Sequence, residues 1–112
     1  MCKRLLRREL MIKDLRDFPR IKCNIAAHIF YEQHIYSGTI IDLSCWGAKI
    51  KSKNKLEELE FLRVSFVFNR EFSILADIVE NLGNDEYRIK FTFKNIADKY
   101  GLKYAIESHI SK

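Results

Sequence analysis

The chain has 112 residues, enough for one domain, which excludes a two-domain enzyme, a full (β/α)8 barrel or a dinucleotide-binding domain with a second domain attached. With 47% hydrophobic and 31% charged residues, four glycines and one proline, it has the composition of a globular chain with one modest core, not of a linker. The net charge of +5 sits entirely in residues 1–22, where eight lysines and arginines face three acids, while the other ninety residues balance at twelve of each sign. A basic arm on a neutral body suits an anionic partner: a nucleotide, a nucleic acid, an acidic protein or a membrane surface.

Three cysteines, Cys2, Cys23 and Cys45, share no metal-ligand spacing, and a reduced cytoplasmic setting is expected. No secretory signal and no membrane span is legible, because no apolar run approaches eighteen residues.

In chain order, residues 3–15 predict a short basic helix with a ragged apolar stripe of Leu5, Leu6, Leu10, Met11 and Ile12. Pro19 disfavours helix at Phe18, so residues 15–22 are expected as an extended loop. From Cys23 the period becomes two, and six strands follow: 23–30, 36–43, 48–52, 61–68, 72–78 and 87–93. Glu32–His34, Cys45–Gly47, Asn69–Arg70 and Leu82–Asp85 are the turns between them, and Lys53–Glu60 is a polar loop or a single helical turn. The phenylalanines between 61 and 93 are expected in the core. Leu102, Ala105, Ile106, His109 and Ile110 recur at helical spacing, with Gly101 starting or interrupting that helix. The predicted fold class is all-β: a six-stranded antiparallel barrel, since an open sheet this apolar would expose adhesive edges, with a basic arm over 1–15 and a C-terminal helix.

Two constellations carry candidate chemistry. Arg16 and Arg20 stand four apart in the charged loop, and Asp42-Leu43-Ser44-Cys45-Trp46-Gly47 joins the second and third strands. One strand, a turn and a second strand fit between Arg20 and Asp42, a path that returns the chain to the same barrel end. R-x-x-x-R followed by D-x-S-x-x-G resembles the PilZ family, bacterial receptors for the second messenger cyclic di-GMP, and the resemblance spans about residues 16–110, in a domain set at 16–112.

The ligand's chemistry agrees with the residue types. Cyclic di-GMP carries two phosphodiesters and two guanines, and a guanidinium forks onto phosphate oxygens or onto guanine O6 and N7. The resemblance implies that Arg16 and Arg20 grip phosphates and guanine edges, that Asp42 and Ser44 meet a guanine from the turn, and that Gly47 supplies a positive φ or a close approach to the ligand. Leu15, just before the first motif arginine, resembles the members that bind a single ligand, although Arg7 and Arg8 are near enough to fold over a second. Trp46 stands where the family usually carries a small or polar residue. It is expected to cap the barrel, with stacking on a purine or plugging of the site as alternatives.

The plainer readings are a solvated basic face for the arginines and a structural Asx-type turn for Asp42 and Ser44. Cys45 has no histidine in evident relation to it, Ser44 lacks a nucleophile elbow, and His28, His34 and His109 show no metal motif, so neither an enzyme nor a cofactor is expected. The function implied is a cyclic di-GMP effector whose arm orders on binding and which signals through a separate protein partner, as a monomer or weak homodimer, towards outputs such as motility or biofilm formation. Two alternatives remain. One is a small basic barrel on single-stranded nucleic acid; the other is a PilZ protein-interaction module without ligand.

Overall fold

The computed structural model describes residues 19–56 and 59–110. The predicted basic helix, Arg7, Arg8, Leu15 and Arg16 lie outside the described residues.

Six antiparallel strands close into a barrel: β1 (Ile21–Tyr31), β2 (His34–Leu43), β3 (Gly47–Lys51), β4 (Leu62–Phe68), β5 (Arg70–Gly83) and β6 (Glu86–Thr92). Their order around the barrel is β1-β2-β3-β6-β5-β4, so β6 lies between β3 and β5 and β1 closes on β4. The expected all-β class and strand count hold. β1 starts two residues earlier than periodicity suggests, taking Ile21 and Lys22 from the expected loop, and Ile21 pairs with Leu43. β5 is the longest strand because its two pairings are offset along it, with β4 from Arg70 to Ala76 and with β6 from Leu75 to Gly83. Its second half alternates poorly, since the register shifts between Ile78 and Glu80.

The inward rows are those of the alternation. Ala27, Ile29, Ile40, Ile50, Val64, Phe66, Phe72, Ile74, Ile89 and Phe91 are buried together, with Phe66 stacked on Phe72 and Phe91. Two expectations fail. Phe61 is 81% exposed, with φ 59°, and its N–H donates to Asp77 Oδ1 at 2.8 Å, so the chain turns into β4 with this ring outside. Leu56, within the stretch read as polar loop, is fully buried; its N–H donates to the Tyr87 hydroxyl at 3.3 Å.

Helix α1 (Ile96–Ile110) covers the barrel end where β4 passes to β5, burying Leu102, Ala105 and Ile106. It begins five residues before Gly101 because Asn95 caps it, Oδ1 accepting from the Asp98 N–H at 3.0 Å. Gly101 therefore neither starts nor interrupts the helix. A Cβ there would lie 2.6 Å from the Arg70 guanidinium, which rests over the Phe72 ring at 4.5 Å. His109 and Ile110 are exposed instead of completing the buried stripe, although the His109 ring still touches Phe68. Asn69, the one-residue turn between β4 and β5, has φ 67° and donates from Nδ2 to the Ala105 carbonyl at 3.4 Å, tying turn to helix.

Candidate functional site

The β2–β3 turn is built by one hydroxyl. Ser44 Oγ accepts from the N–H groups of Trp46 at 3.1 Å and Gly47 at 3.3 Å and donates to the Gly47 carbonyl at 3.3 Å. The Ser44 backbone N–H closes on the same carbonyl at 2.9 Å. This ST-type turn is the plain structural role foreseen for the motif serine, and it consumes the side chain's hydrogen-bonding capacity in this state.

Gly47 differs from the expectation of a positive φ, which among the glycines belongs to Gly83 alone. The requirement is close approach, and the neighbour is the protein itself. A Cβ on Gly47 would lie 2.1 Å from the Ile89 carbonyl oxygen of β6. The Phe91 N–H donates to the Trp46 carbonyl at 2.9 Å beside it. The motif glycine thus lets β6 seat against the turn, which places the outer face of β6 at the site.

Asp42 ends β2 just before this turn, and Arg20 precedes β1. The register Lys22↔Asp42 brings them together, with Arg20 Nε 3.6 Å from Asp42 Oδ1. The foreseen return path is therefore real for the second motif arginine. At that distance the contact is electrostatic and not a hydrogen bond. Asp42 is only 6% exposed, and among the described residues Oδ1 accepts no hydrogen bond, so a buried carboxylate oxygen is open to a further donor. Such atoms are uncommon in native proteins because desolvation costs about 1–3 kcal/mol per unmet group. Arg20, by contrast, is largely exposed and able to reorient.

Arg20, Asp42, Trp46 and Gly47 line one cleft of about 190 Å³ on the outer barrel wall, together with Lys49, Val79, Arg88 and Lys90. Trp46 does not cap the barrel. It is 42% exposed at the cleft rim, and Lys99 of α1 stands over its ring, Nζ 3.6 Å from the centroid. A contact of this kind contributes about 0.5–1 kcal/mol at an exposed site. The barrel end is covered instead by Leu102, Ala105 and Ile106.

Lys49, Arg88, Lys90 and Val79 were not singled out from the sequence. Their facing was legible, since Arg88 and Lys90 alternate with buried Tyr87, Ile89 and Phe91. Their convergence required knowing that β6 pairs with β3, where Lys49 stands opposite Arg88 and Gly47 opposite Lys90. Like charges directly opposite cost roughly 0.2–1 kcal/mol relative to a neutral pair.

Cys45 is no nucleophile in this arrangement. It is buried behind the turn, and burial pushes its thiol up to about 11, against the downward pull of Lys99 and Lys103. Cys23 is raised as well, by burial and then by the charge of Asp42. Among the described residues no group of three His, Cys, Asp or Glu is placed to hold a metal, and no helix is long and apolar enough to cross a membrane.

The PilZ domain family model matches residues 14–108. A search of curated proteins gives no match. Among solved structures, the inhibitor of motility MotI/DgrA of Bacillus subtilis is 15% identical with a TM-score of 0.63, covering 85% of this chain and 51% of that one. The PilZ domain of CeSA from a cellulose-synthesizing bacterium is 22% identical with a TM-score of 0.56, covering 75% of this chain and 90% of that domain. MrkH, a c-di-GMP-dependent transcription regulatory factor, is 15% identical with a TM-score of 0.65, covering 85% of this chain and 51% of its own. This chain thus spans about half the length of MotI/DgrA and of MrkH.

Proposed function

The chain belongs to the PilZ domain family, and on that premise we propose that it is a receptor for cyclic di-GMP whose ligand seats in the cleft between Arg20, Asp42 and the β3–β6 wall. The observation that carries the reading is the meeting of Arg20 with a buried Asp42 carboxylate whose Oδ1 lacks a hydrogen bond among the described residues. Guanine offers N1–H and N2–H donors to such an oxygen, and a ligand that takes Asp42 frees Arg20 to fork onto a phosphate or the Hoogsteen edge. Ser44 and Gly47 shape the turn that presents Asp42. Trp46 offers a base an aromatic face at the rim. The cleft is smaller than the roughly 300 Å³ from which pockets enclose a drug-sized ligand, so a bound dinucleotide projects from it and needs cover. Residues 1–18, with Arg16, Leu15, Arg7 and Arg8, are the segment proposed to close over it, and their ordering is the signal passed to a protein partner. One ligand per chain is the stoichiometry proposed from Leu15.

Calorimetric titration of the protein with cyclic di-GMP, with GTP as control, tests this. Micromolar or tighter binding that Arg16→Ala or Arg20→Ala abolishes, with no response to GTP, is the expected outcome. Silence of the wild type at high micromolar ligand refutes it.

A further inference from the structure

A row of charged residues crosses the outer barrel wall beneath the cleft, and it contains one junction of like sign. Lys22, Asp42, Lys49, Arg88 and Glu80 stand in register on β1, β2, β3, β6 and β5. The signs alternate except between Lys49 and Arg88, which are directly apposed. Neighbouring strands ordinarily avoid that arrangement, because such charges repel. Lys90, the next outward residue of β6, adds a third positive charge to the same cleft.

Lys49, Arg88 and Lys90 each have one acid directly across on their other side, Asp42, Glu80 and Asp77, but among the described residues only Arg88 is paired with its own. Among the described residues neither Lys49 nor Lys90 forms an ion pair, and the buried carboxylate of Asp42 is engaged by Arg20. Arg88 meets Glu80 through Nε alone, at 3.2 Å. That bond leans the guanidinium toward β5, on the side of β6 away from Lys49, and leaves its Nη donors for another acceptor.

We propose that Lys49 and Arg88 form an anion subsite on the barrel wall that takes one phosphodiester group of the bound cyclic dinucleotide. This rests on the reading of the cleft as a cyclic di-GMP site. A phosphate over the junction turns one repulsion into two attractions. The arginine matches two phosphate oxygens and the lysine adds a compact point charge. The ligand is then gripped from the wall as well as from the rim, and the wall residues set which part of the molecule enters the cleft first.

The test is titration of the full chain with cyclic di-GMP alongside Lys49→Gln, Arg88→Gln, Lys49→Arg and Lys51→Gln, the last an exposed lysine opposite Glu86 and outside the cleft. Lys49→Gln and Arg88→Gln are expected to weaken binding at least tenfold each. Lys49→Arg should stay within threefold of wild type and Lys51→Gln within twofold. Without ligand, Lys49→Gln should melt near the wild-type temperature, because the repulsion from Arg88 and the attraction to Asp42 are lost together. Unchanged affinity in both glutamine variants overturns the subsite, and so does a fall in melting temperature that tracks the lost affinity. If the wild type does not bind cyclic di-GMP, the receptor reading fails and the subsite is judged with inorganic pyrophosphate. Amide chemical-shift changes at Lys49 and Arg88 that vanish in the double glutamine variant sustain it, and their absence in the wild type overturns it.

Discussion

Two clefts of nearly equal size flank β5 and β6, and only one has the chemistry of a site. The first, of about 190 Å³, holds Arg20, Lys49, Arg88 and Lys90 around the single buried carboxylate of Asp42. The second, of about 200 Å³, lies over β5 beside the start of α1 and holds Arg63, Arg70 and Lys94 with Glu71 and Asp98. In the second the arginines are already employed by the fold: Arg63 Nη1 donates to Ser73 Oγ at 3.3 Å, and Arg70 rests on Phe72 and the helix backbone at Gly101. In the first, four cations face one carboxylate, against three cations and two acids in the second, and one oxygen of that carboxylate is unmet by any described residue. Volume and arginine content do not separate them. Uncompensated charge and unmet hydrogen bonding do.

Gly47 lines the first cleft and Gly101 lies against Arg70 of the second, and the first glycine sets the largest expected effect. Gly47→Ala drives a Cβ into the Ile89 carbonyl oxygen, backbone against backbone, where no rotamer gives relief. Overpacking of this severity costs about 3 kcal/mol, and thermal or urea unfolding should show the loss together with loss of ligand binding. A variant as stable as wild type would mean that β6 and the turn are not seated as described.

Next in size is the contrast between the two sets of charges. Asp42→Ala should lower affinity for cyclic di-GMP roughly 30-fold, about 2 kcal/mol, the scale of a hydrogen bond to a charged group. Arg70→Ala, in the companion cleft, should leave affinity within twofold and cost under about 1 kcal/mol of stability from its contact with Phe72. Equal effects of the two substitutions on calorimetric affinity would erase the distinction drawn between the clefts.

The contrast also marks how far the sequence could be read. Arg20 and Asp42 were legible because a motif names them and the intervening chain has the length of a two-strand return. The barrel was legible because Ile, Val and Phe alternate cleanly through β1, β4 and β6. Lys49 and Arg88 were not, because their apposition depends on β6 inserting between β3 and β5, a non-local pairing that no local pattern encodes. Gly101 misled for the opposite reason: its intrinsic propensity suggests a helix boundary, whereas tertiary contact with Arg70 and the Asn95 cap place the start at Ile96. Phe61 shows that composition is a weaker guide than phase, since alternation already put it on the outer row with Arg63 and Ser65.

Cys45 ties the rim of the first cleft to the helix that edges the second. With its thiol raised to about 11 by burial, the folded state holds the proton that an unfolded chain releases from about pH 9. The raised folded value means that the contribution is fully present below the unfolded pKa and is lost as pH rises through the folded one. Wild-type stability should therefore fall between pH 9 and 11 by up to about 2 kcal/mol more than that of Cys45→Ala, measured by urea unfolding at each pH. Parallel pH profiles would show that solvent reaches the thiol and that α1 does not seal the turn.

The smallest effect belongs to the second glycine, and its sign is the informative part. Gly101→Ala places a Cβ 2.6 Å from an Arg70 guanidinium nitrogen, a clash in appearance like the one at Gly47 though less close. The obstacle here is the far end of a flexible side chain, which can swing away at the cost of its seat on Phe72. Alanine in place of glycine within a helix gains up to about 1 kcal/mol, and the lost arginine contact returns about 0.5–1 kcal/mol. The two nearly cancel, so unfolding should register a change within about 0.5 kcal/mol and ligand affinity should not move. Combining it with Arg70→Ala removes the obstacle and should expose the helix gain in full. A double variant no more stable than Arg70→Ala alone would show that Gly101 is held for a backbone reason and not for the arginine above it.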